Sequence, residues 1–537
     1  MRAAHTQVLV VGGGLGGVAA ALGAARHGAS VILTEEYAWL GGQSTSQAVP
    51  PDEHPWIEDF GCTASYRQFR DGIRDYYRRH YPLTEAAREK RDLNPGAGWV
   101  SKLCHEPRVA VAVIDEMLAP FRSGGRIRVL QRVRPVACRV DGDAVRVVEL
   151  EDVDDGEHTV VTADYVIDAT ETGELLPLSG TEYVTGFESA AETGEPSAPT
   201  QAQPENIQAV SVCFALEHVD GDHTIDRPAR YDYWRSVAPE IWGGNLLSWS
   251  APHPRTLQIV ERFFEPNPHD DALAVFADQS LNPGDTNLWT FRRIAARDLF
   301  EPGTYVSDIT LVNWPSIDYF DGPLIDVPAD VACRRLDDAK QLSLSMLYWM
   351  QTEAPRPDGG TGWPGLRLRP DVMGTADGLA MAPYHRESRR IRALETVREQ
   401  DVSLGVTGES GARRYADSVG VGMYRIDLHP STGGDTYIDV DAAPFELPLG
   451  ALIPCRMTNL LAGCKNIGTT HITNGCYRLH PVEWNIGEVT GVLAATCLAA
   501  GTTPHQVHAD PAMVADLQAT LVADGVELHW PEGVHGY

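Results

Sequence analysis

The sequence predicts an α/β chain in which both ends contribute to one discontinuous Rossmann-like, dinucleotide-binding domain, with an α+β domain inserted between them. Three observations predict it. A β-branched apolar run at 7–11 leads into Gly12-Gly13-Gly14-Leu15-Gly16-Gly17. An apolar strand pattern at 165–168 ends in Ala169-Thr170-Glu171-Thr172-Gly173. Near the C-terminus, Asn459-Leu-Leu-Ala-Gly463 precedes a long apolar stretch, while 185–445 lacks any strand–helix–strand rhythm.

The N-terminal element carries G-x-G-x-x-G at Gly12, Gly14 and Gly17. Gly12 permits the tight turn, Gly14 admits a pyrophosphate to the backbone, and Gly17 lets the helix opened by Leu15 pack on the strand. That helix points free N–H groups and its positive dipole end at the anion. Glu35 closes the next strand 21 positions after Gly14, followed by Glu36. Its carboxylate suits a ribose 2′-OH and repels a 2′-phosphate. The uncharged stretch 8–25 is too rich in glycine for a signal peptide or a membrane span. A second literal match, Gly360-Thr-Gly-Trp-Pro-Gly365, lacks a preceding strand and has Pro364 where a helix should begin, so it reads as a loop.

Composition narrows the partners. The 537 residues allow about three domain-sized pieces. A formal charge of −30 argues against nucleic acid and membrane surfaces and leaves a small-molecule substrate, with a homo-oligomer compatible. Nine scattered cysteines without a CxxC pair indicate reduced, mostly buried thiols in a cytoplasmic protein.

After Glu36 the chain runs Tyr37-Ala-Trp-Leu-Gly-Gly-Gln-Ser-Thr-Ser-Gln47. Here the sequence resembles FAD-dependent oxidoreductases of the glutathione-reductase-like fold. The resemblance implies FAD as cofactor, with Gly42, Gln43 and Ser44 along its pyrophosphate and ribityl chain. It reads 126–149 as three short strands of the family's small inserted sheet, bringing Val133 to the cofactor, and adds the Ala169, Thr170 and Gly173 crossover. The R-x-G-G-R of amine oxidases and the G-D-A-A-H of aromatic hydroxylases are absent, as is the redox CxxC of disulfide reductases.

The C-terminal stretch Lys465-Asn-Ile-Gly-Thr-Thr-His-Ile-Thr-Asn-Gly-Cys-Tyr-Arg478 resembles the family's cap. The resemblance places Gly463 at the cofactor. It starts the last helix near residue 485, so that the backbone of Ile486 and Gly487 faces the flavin N1–O2 edge, where a helix N-terminus stabilises negative charge. Cofactor-domain pieces are thus expected at 1–184 and 446–510, a substrate domain at 185–445 and a tail at 511–537.

Seven of the 12 tryptophans lie in the insert, as core filling or as a stacking wall. The arginine-rich segment 66–79 predicts a solvated helix laced with ion pairs, and 385–400 a similar one. By resemblance, 384–390 approaches the substrate. Flavin hydride chemistry often needs one base for a hydroxyl or amine proton, a task suited to histidine. His429 and His471 are the candidates, with Arg478 as electrostatic anchor and Asn474 as hydrogen-bond donor; His471 and Arg478 match the cap's H-x(6)-R. No metal site is expected. The predicted activity is an FAD-dependent dehydrogenase or oxidase taking hydride from a CH–OH type carbon, with O2 or another acceptor. The alternatives are an NAD(P)H-using monooxygenase or desaturase, and a flavoprotein with a structural or RNA-modifying role.

Overall fold

Buried β-branched runs make the central sheet of the computed structural model, which describes residues 2–276 and 287–536. Strand β1 (Arg2–Val11) is followed by helix α1 (Leu15–Arg26) and β2 (Val31–Glu35). Helices α2 (Ala64–His80) and α3 (Pro107–Ser123) then lead to β3 (Ile127–Gln131). Strands β4 (Val133–Asp141), β5 (Ala144–Asp152) and β6 (His158–Asp168) complete the N-terminal part, and their order across the sheet is β3-β2-β1-β6-β5-β4.

Strand β6 does two jobs because it is 11 residues long. One edge runs parallel to β1 along nearly its whole length, from Thr159 to Asp168, and on the other edge its first half pairs antiparallel with β5. Of the three strands expected at 126–149, the first therefore belongs elsewhere: β3 extends the parallel sheet beside β2. The small antiparallel piece is β4, β5 and the start of β6.

The stretch 214–368 builds a second sheet from β7 (Phe214–His218), β8 (Arg293–Ala295), β9 (Ile309–Val312) and β10 (Leu366–Leu368), in the order β8-β9-β7-β10. Helix α4 (Ala329–Thr352) shares its core. All seven tryptophans of the insert are buried, and the Trp249 ring lies within 6.3 Å of Trp314, Trp349 and Trp363. Core filling accounts for them, not a stacking wall. This second core draws on residues 210–379, whereas Ile391, Val397, Val402 and Val419 pack into the first. The helix Pro511–Ala523 also packs there, through Val514, Leu517 and Leu521.

The chain then returns to the first sheet. Strand β11 (Leu460–Ala462) lies parallel to the end of β6, and α5 (His471–Tyr477) and α6 (His480–Ala500) follow. Helices α1 and α6 meet backbone to backbone: a Cβ on Gly487 would stand 1.9 Å from the Gly16 carbonyl oxygen, and one on Gly491 2.1 Å from that of Ala20. Small residues at both helices make that approach possible. No helix among the described residues is long and apolar enough to cross a membrane.

Two charged segments differ from expectation. In α2, Arg70 and Arg74 are buried rather than solvated, because Glu53 and Glu58 accept their guanidinium hydrogen bonds. Arg78 and Arg79 keep exposed partners, Asp75 and Glu116. The segment 385–400 is extended instead of helical up to 398. Its charges find partners inside the protein, Glu387 with His471 and Arg390, so alternation there does not mark a solvated helix face.

Candidate active site

Parallel sheets bind ligands beyond the carboxyl ends of their strands. There a cleft opens, lined by Gly12, Gly14, Glu35, Glu36, Val133, Ala169 and Thr170 from the expected set. Thr34, Tyr37, Pro135, Glu171, Thr172, Glu174, Ala382 and His385 complete it. Gly12 has φ +98°, and a Cβ there would lie 2.3 Å from the Ala169 carbonyl oxygen. Gly14 differs: an added Cβ would meet only the carboxylates of Glu171 and Glu483, leaving its backbone face open to a ligand.

Four carboxyl groups face this cleft. Glu35 accepts hydrogen bonds from the N–H groups of Gly13 (2.8 Å) and Tyr37 (2.9 Å), and burial pushes its pKa up to about 8. Burial likewise raises Glu174 to about 7, with help from Glu36 and Asp168. Glu36 is raised by burial against the pull of Arg134 and Arg132. Glu171 sits between Gly14 and Gly42 and is held ionised, despite burial, by the Lys465 ammonium. Half-buried His385 is kept neutral, its pKa pushed down to about 4 by burial.

The turn Gly42–Ser44 backs Glu171 as a wall, with Gly42 against that carboxylate, and does not itself line the cleft. Gln43 donates to the Arg478 carbonyl (3.0 Å) and to Glu483, while its own Oε1 and the Ser44 hydroxyl are buried without a partner among the described residues. Two orphaned polar atoms beside a glycine cradle are what a pyrophosphate and ribityl chain would satisfy. The residues present therefore fit a flavin dinucleotide. Glu171, Cys464 and Glu483 also bring three ligand atoms within 4.8 Å of one another. The Lys465 ammonium pairs with Glu171, 3.8 Å from Glu483, and so supplies the positive charge at that cluster itself.

Beyond this wall lies a buried polar cluster centred on Tyr384. Arg478 donates to the Tyr384 hydroxyl (2.9 Å) and to Asp427 Oδ2 (3.2 Å). Arg386 lies over the same ring, 5.1 Å from its centroid, and pairs with Asp318 at 2.9 Å. His429 Nδ1 donates to the other oxygen of Asp318 at 2.5 Å, leaving Nε2 3.7 Å from Asp427. Asp318 is wholly buried, yet Arg386 and His429 together outweigh burial and hold its carboxyl below the ordinary value. The cluster is accessible on one side: the side chains of Asp427, His429 and Arg292 keep 22, 18 and 14 % of their exposure.

The other expected groups have different surroundings. His471 is enclosed, its ring against Phe187 (3.7 Å between centroids) and its Nδ1 on Glu387 (2.9 Å). Asn474 donates to the Arg386 carbonyl (2.7 Å), fixing the segment that carries Tyr384 and Arg386. Leu15, Gly17, Gly173 and Gly463 shape the backbone around the cleft without lining it. Ile486 and Gly487 do not start the last helix. It begins at His480 after Leu479, since Pro481 in the first turn needs no N–H partner, and so Ile486 and Gly487 lie inside it, Gly487 against Gly16. Sequence reading missed Asp52, Glu171, Glu174, Arg292, Asp318, Lys465 and Glu483. Only Glu171 and Glu174 had a signal, their place within the Ala169–Gly173 crossover and just after it.

A nucleotide cleft at the strand ends, joined by one turn to an enclosed acid–base cluster, defines a dinucleotide-dependent enzyme. The chain matches the FAD dependent oxidoreductase family over residues 7–521 and belongs to it. It is an oxidoreductase, and its cofactor is FAD. No curated protein matches its sequence. Among solved structures it is similar to the flavin-dependent monooxygenase PieE in complex with FAD and substrate, at 14 % identity and TM-score 0.30, over 73 % of this chain and 51 % of that one. It is also similar to the myxobacterial chondrochloren halogenase CndH (16 %, TM-score 0.22, 42 % of this chain and 46 % of that one). The match to L-proline dehydrogenase from P.horikoshii has 14 % identity and TM-score 0.17, over 34 % of this chain and 24 % of that one. The chain thus spans from about a quarter to about half the length of these proteins.

Proposed function

We propose that the protein is a dehydrogenase or oxidase that removes hydride from a CH–OH type carbon of a small polar substrate, with His429 as the base. The observation that carries this reading is the 2.5 Å contact between His429 Nδ1 and the fully buried Asp318. It fixes the tautomer, so that Nε2 is the basic nitrogen, and it stabilises the imidazolium formed when Nε2 takes the hydroxyl proton. Arg478 and Tyr384 orient the oxygen that loses this proton, and Asn474 holds their segment in place.

Gly14, Glu35, Gly42, Gln43 and Ser44 would hold FAD, which would supply the two-electron acceptor. The backbone at the start of α6, near Leu479 and His480, takes the electrostatic role expected of Ile486 and Gly487. In this reading the arrangement is glutathione-reductase-like, with cofactor pieces at both ends and the tryptophan-cored body as the substrate side. Anaerobic mixing tests it. Substrate alone should bleach the flavin without NAD(P)H, and His429→Gln should slow that bleaching; bleaching only by NAD(P)H would sink the reading. Peroxide release on re-aeration then separates an oxidase from an enzyme with another acceptor.

A further inference from the structure

Arg386 and Arg478 meet at Tyr384 and Arg292 stands at Asp52, and the charges of the three are unequally matched. Arg386 pairs with Asp318, and Arg478 with Asp427. The counterion of Arg292 is Asp52, with Nη1 3.9 Å from Oδ1, too far for a hydrogen bond. Burial favours the neutral acid of Asp52, against the pull of Arg292 and Arg478. His480 Nδ1 accepts the Asp52 backbone N–H (3.2 Å) and thereby pins the Asp52 backbone beside the N-terminus of α6.

Hydrogen bonding is incomplete in the same place. Nε and Nη1 of Arg292, Nε of Arg386, Nε of Arg478 and the Tyr437 hydroxyl are buried without a partner among the described residues. Arg386, Arg478 and Tyr437 are each more than nine-tenths buried. The Tyr437 ring packs 5.5 Å from that of His429, so its hydroxyl belongs to this cluster. Burying guanidinium N–H groups without acceptors is costly, and so many in one cluster point to an acceptor brought by a ligand.

We propose that this cluster binds the carboxylate of an anionic substrate, with Arg292 as its principal partner. The proposal rests on the reading that His429 and Arg478 face the substrate, and it adds the substrate's class. One unmatched cation calls for a monoanion. A phosphate dianion would add a second negative charge beside Asp318 and Asp427, whereas a planar carboxylate matches a guanidinium in both charge and shape. The carboxylate would also place an adjacent hydroxyl-bearing carbon within the circle of Tyr384, Arg478 and His429.

The test uses the FAD-loaded full-length protein and follows the flavin absorbance during titration with acetate, pyruvate and benzoate, against acetamide, benzamide and inorganic phosphate. At least one carboxylate should perturb the flavin saturably, with its amide, or phosphate, at least about tenfold weaker. Arg292→Gln should weaken that carboxylate about tenfold or more at unchanged flavin content, and Arg292→Lys should restore part of the loss. The proposal is overturned if no carboxylate binds, if amides or phosphate bind as tightly, or if Arg292→Gln binds normally. His429→Gln separates the two readings: it should retain carboxylate affinity while losing proton transfer. Normal turnover in His429→Gln with carboxylate binding intact removes the base and leaves the anion site standing.

Discussion

The nucleotide cleft and the Tyr384 cluster stand on either side of one turn, yet they are built on opposite principles. The cleft is shaped by backbone, with Gly12 and Gly17 at contacts too close for any side chain, and its carboxyl groups are added to that frame. The cluster is made of side chains gathered from six separate segments around Asp52, Arg292, Asp318, Tyr384, Asp427 and Arg478. A backbone site tolerates no substitution and identifies the ligand type. A side-chain site tolerates substitution one group at a time, so its members can be ranked by variants.

The sharpest break of this contrast is at Gly17. A Cβ there would lie 1.9 Å from the Gly12 carbonyl oxygen, a backbone atom that cannot give way. Gly17→Val is expected to abolish FAD binding and most of the soluble yield, read as the loss of flavin absorbance in the purified protein. A flavin-loaded variant would show that the α1 turn is not the rigid element described here.

On the side-chain face the largest expected effect is at His429. His429→Gln should reduce the rate of flavin reduction by substrate about 10²- to 10⁴-fold, the usual worth of a positioned base, while flavin content stays the same. Stopped-flow bleaching measures it. A change below about threefold would return the base to another group.

The same contrast explains what the sequence disclosed. Gly12, Gly14, Gly17 and Glu35 were legible because backbone geometry demands those residue types at fixed spacing. The end of the cleft at Ala169 and Thr170 was legible for the same reason. Asp318 and Arg292 were not, since a carboxylate 111 positions from His429 leaves no periodic trace, and their pairing exists only after folding. The resemblance put the start of the last helix five residues too late, and the positions Pro481, Glu483 and Asn485 in its first turns give no apolar pattern to correct it. The structure buries all three and uses Glu483 to accept the Gly16 N–H (3.2 Å). The extended segment near Glu387 was misread for a related reason: buried ion pairs and a solvated helix face share one composition.

The acids of the cleft make stability depend on pH. Folding raises Glu35 from 4.5 to about 8, Glu174 from 4.5 to about 7 and Asp168 from 3.8 to about 6, chiefly by burial. A raised carboxyl binds its proton more tightly in the folded state. Its contribution is therefore fully present below the unfolded value and lost as pH rises through the folded one. The FAD-free protein should lose thermal stability between about pH 6.5 and pH 8, by several degrees, when melted in a pH series; below that range the buried His54, His105 and His385 (pushed down to about 4) and His480 (to about 3) act in the opposite direction. Glu35→Gln should flatten the upper part of that curve, and an unchanged slope would show that Glu35 ionises freely.

The smallest catalytic effect is expected at the histidine that resembles a catalytic group most in sequence. His471 lies outside the cleft, bonded to Glu387 and stacked on Phe187. Glu387 keeps Arg390 and the Gln208 N–H as partners when the imidazole is removed, so its charge stays compensated. His471→Gln should cost stability on the order of 1–3 kcal/mol, the price of a disturbed buried hydrogen bond. Turnover per flavin should change by no more than a few-fold, with the pH profile of flavin reduction unmoved, because the proposed base His429 is untouched. A profile shifted in His471→Gln and unshifted in His429→Gln would exchange the roles of the two residues, and with them the side of Tyr384 on which the substrate's hydroxyl must lie.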